Sequence, residues 1–300
     1  MRKAAVRVLP DSLYAKLAYR RNYGRFPRNP PETFNERIAA LIGSGQLSRY
    51  APYSDKLAVR DFVTQRAGVK YLVPLHTTAD RLTRDLWDRL PDSFMLKPNH
   101  GSGWALAVED KHAEDFDALV TKTDNWLRKN YYYLYRESQY RSLKPVLMLE
   151  KLLRQSVEEG GRRGEAHKSG LIDYKIFCFH GKAQMIHVVM WEQERRRLLY
   201  DFGWNKLAVR YKLSNDGEIP RPTGLEEMRT VAEALSRDFD FVRVDMFDTP
   251  DGVFFGELTF TPLVGSDPFE PLAFDAFLGD LWAGAAGADE DVMARWRVTP

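Results

Sequence analysis

The sequence predicts a two-lobed α+β fold with a helical part at its N-terminus, and three observations lead there. Strand-like runs fall into two clusters, one at 71–74, 94–97, 104–108 and 146–151, the other at 173–179, 183–190 and 241–262. Helical patterns precede, separate and follow them, at 32–41, 54–67, 113–130, 225–235 and 272–285. The second cluster closes on FVRVDMFDTPDGVFFGELTFTP, two strand-like runs around Thr249-Pro250-Asp251-Gly252. Lys97 and Asp245 therefore belong to different clusters, and they can meet only across a cleft.

The totals bound the function classes. At 300 residues the chain is long enough for one large domain or for two to three lobes with a sizeable core. Lys and Arg number 44 against 42 Asp and Glu, a net charge of +2, so no global charge argues for nucleic acid. A single cysteine rules out an internal disulfide and a cysteine-based zinc site, and fits a reducing cytoplasm. Cys178 stands in the apolar run Ile176–Phe179 and reads as a buried, inert thiol. No apolar run reaches the roughly 18 residues of a membrane-spanning helix. The N-terminus lacks the apolar stretch of a secretory signal.

The first thirty residues are basic, with Arg2, Lys3, Arg7, Lys16, Arg20, Arg21, Arg25 and Arg28 against Asp11. They read as a solvated surface, with contact to an anionic lipid or glycan as the alternative. Asn29-Pro30-Pro31 breaks the chain before a short helix at 32–41, and 43–52 reads as a loop. Ser54 is placed to cap a helix that carries Asp55-Lys56 in its first turn and stops at Gly68. Strand 94–97 runs into Pro98-Asn99-His100-Gly101-Ser102-Gly103, a glycine loop between strands. It lacks the Gly-Lys-Ser/Thr of a Walker loop, yet its backbone N–H groups could approach phosphate oxygens, with Lys97 as a point charge. On its own the motif also reads as a plain hairpin turn, with His100 as filler.

An aromatic cluster at 131–135 reads as core or interface, and 146–151 is an apolar strand ending in Glu150-Lys151. The segment 158–170 has no apolar periodicity and reads as a mobile loop. Strict alternation puts Asp173 and Lys175 on one face of the next strand. Arg195-Arg196-Arg197 reads as solvent-facing or anion-binding. Thr223-Gly224-Leu225-Glu226 has the form of a capping box opening a helix, and 263–271 reads as a loop before the closing helix.

Taking Pro250, Asp251 and Gly252 as a three-residue hairpin loop pairs Thr249 with Val253. Counting inward sets Asp245 opposite Glu257 and Arg243 opposite Thr259, with each pair on one face. Val242, Val244, Met246, Phe254, Leu258 and Phe260 then take the other, apolar face. Two facing carboxylates repel unless a proton or cation sits between them, and their oxygens suit Mg²⁺ completed by substrate phosphates. The same pattern also describes the solvated face of an ordinary hairpin.

These pieces in this order resemble an ATP-grasp protein. Asp55-Lys56, Lys97 before His100-Gly101-Ser102-Gly103, Glu150-Lys151, Arg243-Val244-Asp245 and Glu257-Leu258-Thr259 match the order and spacing of the family's ligases over most of 54–262. NPPETFNERI, KPNHGSG, NYYYLYRE, DYKIFCFHGK and FGELTFTP are similar to the TupA-like ATP-grasp family over nearly the whole chain. Bacterial members of that family are associated with capsule and cell-wall polysaccharide biosynthesis. The resemblance implies an N-terminal helical region at 1–70, a lid at 71–148 and a C-terminal subdomain at 149–300, two α+β lobes gripping ATP. It implies Lys56 and Lys97 on the nucleotide phosphates under the loop His100, Gly101, Ser102 and Gly103. Glu150 and Lys151 would stand where adenine and ribose are read, with Asp173 and Lys175 towards phosphate or a carboxylate partner. Asp245 and Glu257 would hold one or two Mg²⁺, and Arg243 would face a developing oxyanion. Thr259 departs from the family's usual asparagine, which puts a second metal in doubt because a hydroxyl is the poorer neutral donor.

What the resemblance implies is a cytoplasmic ATP- and Mg²⁺-dependent ligase that joins a carboxylated glycan or its precursor to an amine through an acyl phosphate. The catalytic residues would be Arg243, Lys97 and Lys175. A phosphotransferase with a hydroxyl acceptor and a non-catalytic nucleotide-binding partner are the alternatives, and the paired carboxylates count against the second. Peripheral contact with a membrane or a polysaccharide assembly complex goes with the basic N-terminus. Nucleic acid is not expected as a partner.

Overall fold

Two antiparallel sheets carry the functional side chains, and a third short ribbon pins the C-terminal part. The computed structural model describes residues 9–155, 171–191, 195–211, 217–285 and 291–298. The smaller sheet contains β1 (Leu75–Ala79), β2 (Phe94–Pro98), β3 (Leu106–Val108) and β4 (Leu147–Glu150), in the order β1-β4-β2-β3. The larger contains β5 (Asp173–Phe179), β6 (Lys182–Trp191), β7 (Arg195–Tyr200), β9 (Phe241–Thr249) and β10 (Gly252–Thr259), in the order β10-β9-β5-β6-β7. β8 (Arg210–Tyr211) pairs with β11 (Phe269–Glu270).

Each sheet is two-sided for a reason legible in its alternation. Phe94, Leu96, Leu147 and Leu149 face Leu119 and Trp126 of the helix Phe116–Leu127. Met95, Lys97, Met148 and Glu150 are left on the opposite face, because strand side chains alternate. In the larger sheet Ile176, Val242, Val244, Met246 and Leu258 pack under Leu225, Met228, Val231 and Leu235 of the helix Leu225–Ser236. The other face carries Lys175 and Asp245 at one end and Phe177, Phe179 and Phe241 at the other. There Phe34 of the helix Phe34–Gly43 seats its ring 4.9 Å from Phe241. That helix opens with a full capping box, Thr33 with Glu36. Cys178 is fully buried, and burial pushes its thiol up to about 12.

Several local expectations are corrected. The segment 71–74 is not a strand: Val69–Tyr71 is a 3₁₀ turn and Leu72 makes a single parallel bridge to Phe255, the strand starting after Pro74. The second helix spans only Val59–Arg66, so Asp55-Lys56 lies before it. Asp55, not Ser54, caps the turn, its Oδ1 accepting from the N–H of Leu57 at 2.8 Å and of Ala58 at 3.2 Å. Thr223-Gly224-Leu225-Glu226 forms no box, because the Asp248 carboxylate takes the Gly224 N–H at 3.0 Å. The expected loop at 43–52 holds the 3₁₀ turn Gln46–Tyr50 and the helical turn Ala51–Ser54, and the basic N-terminal stretch holds the helix Asp11–Tyr23. Arg195-Arg196-Arg197 lies on β7 with Arg197 2% exposed, against the solvent-facing expectation. The segment 158–170, and Arg2, Lys3 and Arg7, lie outside the described residues.

The hairpin keeps the expected site register by a different route. Thr249 pairs with Gly252, so the loop has two residues and the strands start one position out of the expected register. A bulge at Gly256 then restores it, setting Glu257 against Asp245 and Thr259 against Arg243. The bulge needs glycine because a Cβ there would meet the Asp245 carbonyl oxygen at 3.1 Å and the Phe247 ring at 3.2 Å. Phe255, not Phe254, therefore joins the apolar face. Phe254 turns to Val73, Leu153, Phe247 and Leu171 between the two sheets. Among the described residues no helix is long and apolar enough to cross a membrane.

Candidate active site

One row of side chains crosses the face of the larger sheet: Glu257 on β10, Asp245 on β9 and Lys175 on β5 stand directly opposite in turn. Arg243, two residues before Asp245, closes a bidentate pair with it, Nε to Oδ1 and Nη2 to Oδ2 at 2.6 Å each. Lys175 donates to Asp245 Oδ2 at 2.6 Å and lies 3.4 Å from Asp173. Thr259 links the row, accepting from Arg243 Nη2 at 3.0 Å and donating to Glu257 Oε1 at 3.1 Å. Lys56 arrives from outside the sheet, its Nζ 3.3 Å from Glu257 Oε2. Three cations (Lys56, Lys175, Arg243) thus meet three carboxylates (Asp173, Asp245, Glu257).

In that arrangement the cations Lys56, Lys175 and Arg243 stand beside the facing carboxylates of Asp245 and Glu257 and offset their mutual repulsion. Burial pushes Glu257 up, but Lys56, Lys175 and Arg243 outweigh it and hold the carboxyl at about 2. Burial likewise draws Lys175 down, and Asp173 and Asp245 more than offset it, leaving it above the ordinary lysine range. Arg243 is raised in the same way by Asp245 and Glu257 against its burial. The carboxylates differ in access. The Asp245 side chain is 4% exposed with Oδ2 engaged twice, whereas Glu257 is 28% exposed.

A second cluster sits on the smaller sheet. Lys97 Nζ pairs with Glu150 Oε2 at 2.6 Å, and Arg60 reaches Glu150 Oε1 at 3.4 Å and the Val73 carbonyl at 3.1 Å. Lys151 turns away to Asp251 on the hairpin turn, at 2.8 Å. The glycine loop bridges the clusters: Lys56 N donates to the Asn99 carbonyl at 2.8 Å and Nζ to the Gly101 carbonyl at 2.6 Å. Asn99 Nδ2 in turn holds Asp55 Oδ2 at 2.9 Å. Gly101 has φ of 79°, and a Cβ would strike the Tyr131 and Trp104 rings at 2.8 and 2.9 Å. His100 is buried with Nε2 3.0 Å from the Lys129 carbonyl, and burial lowers its pKa. Ser102 is exposed.

Lys56, Lys175, Arg243, Asp173, Asp245, Glu257 and Thr259 are thus brought together, and Lys97 with Glu150 forms a separate pair on the other sheet. Sequence reasoning gives no role to Asp55 and Asn99 and passes over Arg60, all of which position these groups, and above all it passes over Glu137. This glutamate ends the aromatic stretch NYYYLYRE, 6% exposed, with Thr261 and Gln139 donating to its Oε1. Burial, with the Glu257 charge nearby, raises its carboxyl to about 7 despite those donors. Between the unfolded value of 4.5 and about 7 the folded protein keeps a proton that the unfolded chain has released, so stability falls as pH rises through that window. At about 1.4 kcal/mol per pKa unit the loss is ~3 kcal/mol. Urea unfolding at about pH 5 and about pH 8 should show wild type losing this much more than Glu137→Gln. Parallel profiles for the two proteins would contradict it.

Among the described residues no group of three or more His, Cys, Asp or Glu side chains is placed to hold a metal. The hard oxygens of Asp245 and Glu257 nonetheless fit Mg²⁺, which takes one or two carboxylates and completes its shell from phosphates and water. Comparison with known proteins gives a match of residues 36–283 to a family model described as TupA-like ATPgrasp. No curated protein sequence matches. Among solved structures, D-alanine–D-alanine ligase from Bacillus anthracis is 15% identical, with TM-score 0.39, over 74% of this chain and 63% of that one. The ATP-grasp ligase PsnB with its minimal precursor is 12% identical, with TM-score 0.38, over 84% of this chain and 64% of that one. L-amino acid ligase from Bacillus licheniformis is 13% identical, with TM-score 0.40, over 69% of this chain and 42% of that one. The match therefore spans less than two thirds of each of these proteins.

Proposed function

This chain belongs to the TupA-like ATP-grasp family, and we propose that it is an ATP- and Mg²⁺-dependent ligase that joins a carboxylated sugar to an amine, releasing ADP. Its α+β fold is the ATP-grasp fold. The observation that supports the ligase reading is the charge-balanced cluster of Lys56, Lys175 and Arg243 with Asp173, Asp245 and Glu257, to which the glycine loop after Lys97 is tied through Lys56 and the Gly101 carbonyl. A site for a polyanion that arrives with a divalent cation needs both signs at once. Residues 71–148 would act as the lid over 149–300, with 1–70 as the helical support.

A carboxylate resists nucleophiles because of its charge and because its leaving group would be oxide. Transfer of the γ-phosphoryl group to one carboxylate oxygen gives an acyl phosphate and ADP. Attack of the amine on that carbon then releases phosphate and a proton. Lys56 and Lys97 would hold the phosphates in line, with Glu150 releasing Lys97 to them, and the 101–103 loop would cover the site against water. Mg²⁺ held by Glu257 and Asp245 would neutralise charge on the transferring phosphoryl group. Arg243 Nη1, outside the bonds to Asp245 and Thr259, would donate to the oxyanion formed when the amine adds. Lys175 fixes Asp245 and adds positive charge beside the phosphates. The carboxylate would belong to a uronic acid of a capsule or cell-wall polysaccharide, worked on in the cytoplasm.

Incubating the protein with Mg²⁺, ATP, glucuronate or galacturonate and hydroxylamine should give ADP and a sugar hydroxamate. AMP with pyrophosphate, or a stable phosphorylated sugar hydroxyl, would remove the ligase reading, the latter in favour of a phosphotransferase.

A further inference from the structure

A groove of about 270 Å³ lies apart from the candidate active site, between the helix Phe34–Gly43, the following turn and Trp282. We propose that it binds a carboxylated sugar ring, with Arg37 and Arg49 taking the carboxylate and Trp282 taking the ring. The neighbouring arginines show what is unusual here: Arg25 and Arg28 both pair with Glu36. Arg37 and Arg49 have no carboxylate partner among the described residues. Arg37 Nε is buried and donates to nothing, although an arginine N–H removed from water normally finds an acceptor. Arg49 is held in place without being neutralised, stacked 4.7 Å above the Tyr50 ring with Nη2 donating to the Tyr50 hydroxyl at 2.6 Å. The one acid on the groove, Asp240, is exposed at the rim 3.8 Å from His180. The groove is therefore cationic and offers donors in the planar fork that suits a carboxylate.

Its other wall is apolar. Leu41, Phe241 and Trp282 line it, and an amphipathic aromatic surface beside fixed polar groups suits the C–H face of a sugar ring. Pockets for drug-sized ligands run from about 300 Å³ upward, so the groove suits one ring and not a nucleotide. An inorganic anion would leave the Trp282 wall unused. The groove lies on the same sheet face as the candidate active site. Phe241 is four residues before Asp245 on β9, about 13 Å at ~3.3 Å per residue. Tyr50 also stacks 4.0 Å from Phe260, between Thr259 and Thr261 of the hairpin. The choice of a sugar acid over other ring carboxylates rests on the acceptor proposed above; the anion site does not.

Calorimetric titration of the full chain with trigalacturonate, glucuronate, glucose and inorganic phosphate tests the assignment. Both uronates should bind and glucose should not. Arg37→Met should weaken trigalacturonate at least tenfold, and Arg49→Gln, an exposed position, should do likewise if the first variant folds poorly. Neither should alter the rise in melting temperature given by Mg²⁺ with ATP. The assignment is overturned if uronate binding survives both substitutions, if glucose binds as tightly, or if phosphate binds tenfold tighter than glucuronate. Loss of uronate binding in Arg37→Met together with no hydroxamate from any wild-type mixture would uphold the groove and remove the ligase reading alone.

Discussion

Glu257→Gln is expected to lower ATP-dependent turnover by roughly 10²–10³-fold, the usual scale for removing one electrostatic partner of a transferring group. The carboxyl is held at about 2, so it is ionised throughout any working pH, and a change of pH cannot substitute for the lost charge. The amide keeps the shape and can still accept from the Thr259 hydroxyl, which donates to Oε1 at 3.1 Å. Lys56 keeps its bond to the Gly101 carbonyl. With the side chain 28% exposed at the sheet edge, the fold should survive. Thermal melts and ADP release measured on the same samples check both halves. Full turnover in this variant would show that Glu257 does not serve the phosphates.

Asp245→Asn is expected to abolish activity and to cost about 3–5 kcal/mol of stability, the scale for removing one partner of a buried ion pair. Seen only as two facing carboxylates that repel, the pair would make this substitution harmless to the fold. The structure reverses the expectation. Among the described residues Asp245 is the one carboxylate that both Arg243 and Lys175 contact at hydrogen-bonding distance, and Arg243 is 6% exposed. An amide would leave a buried guanidinium facing an N–H donor. Urea unfolding without nucleotide reads the loss, and a midpoint equal to wild type would contradict it.

The hairpin shows how far sequence carries the argument. Pairing of Asp245 with Glu257 was legible from counting, yet the count assumed a three-residue loop and regular strands. Two departures, the shorter loop and the bulge at Gly256, cancel at the site and leave their trace only in Phe254. The local trace of the bulge is Gly256 itself, an isolated glycine inside a strand-like run, and its role becomes plain only from what a side chain there would strike across the strand. Asp173, Lys175, Arg243 and Asp245 follow from alternation once the strands are found. The arrival of Lys56 at Glu257 does not, since the two are far apart in the chain and the contact depends on how Asp55 docks on Asn99. Glu137 was hidden by the tyrosines before it, which read as packing. Arg197 was misjudged because three consecutive arginines suggest solvent, whereas a central position on β7 buries the third. The helix Asp11–Tyr23 was masked by its basic residues, which obscure the apolar face that Ala15 and Tyr19 turn inward.

The central claim is that the γ-phosphoryl group passes through the acceptor's own carboxylate. Labelling that carboxylate with ¹⁸O and letting the protein act with ATP, Mg²⁺ and an amine tests this directly, since attack on an acyl phosphate leaves the bridging oxygen with the phosphate. The account predicts one ¹⁸O atom in each inorganic phosphate released. Phosphate free of label, with both labelled oxygens kept in the product, would contradict it.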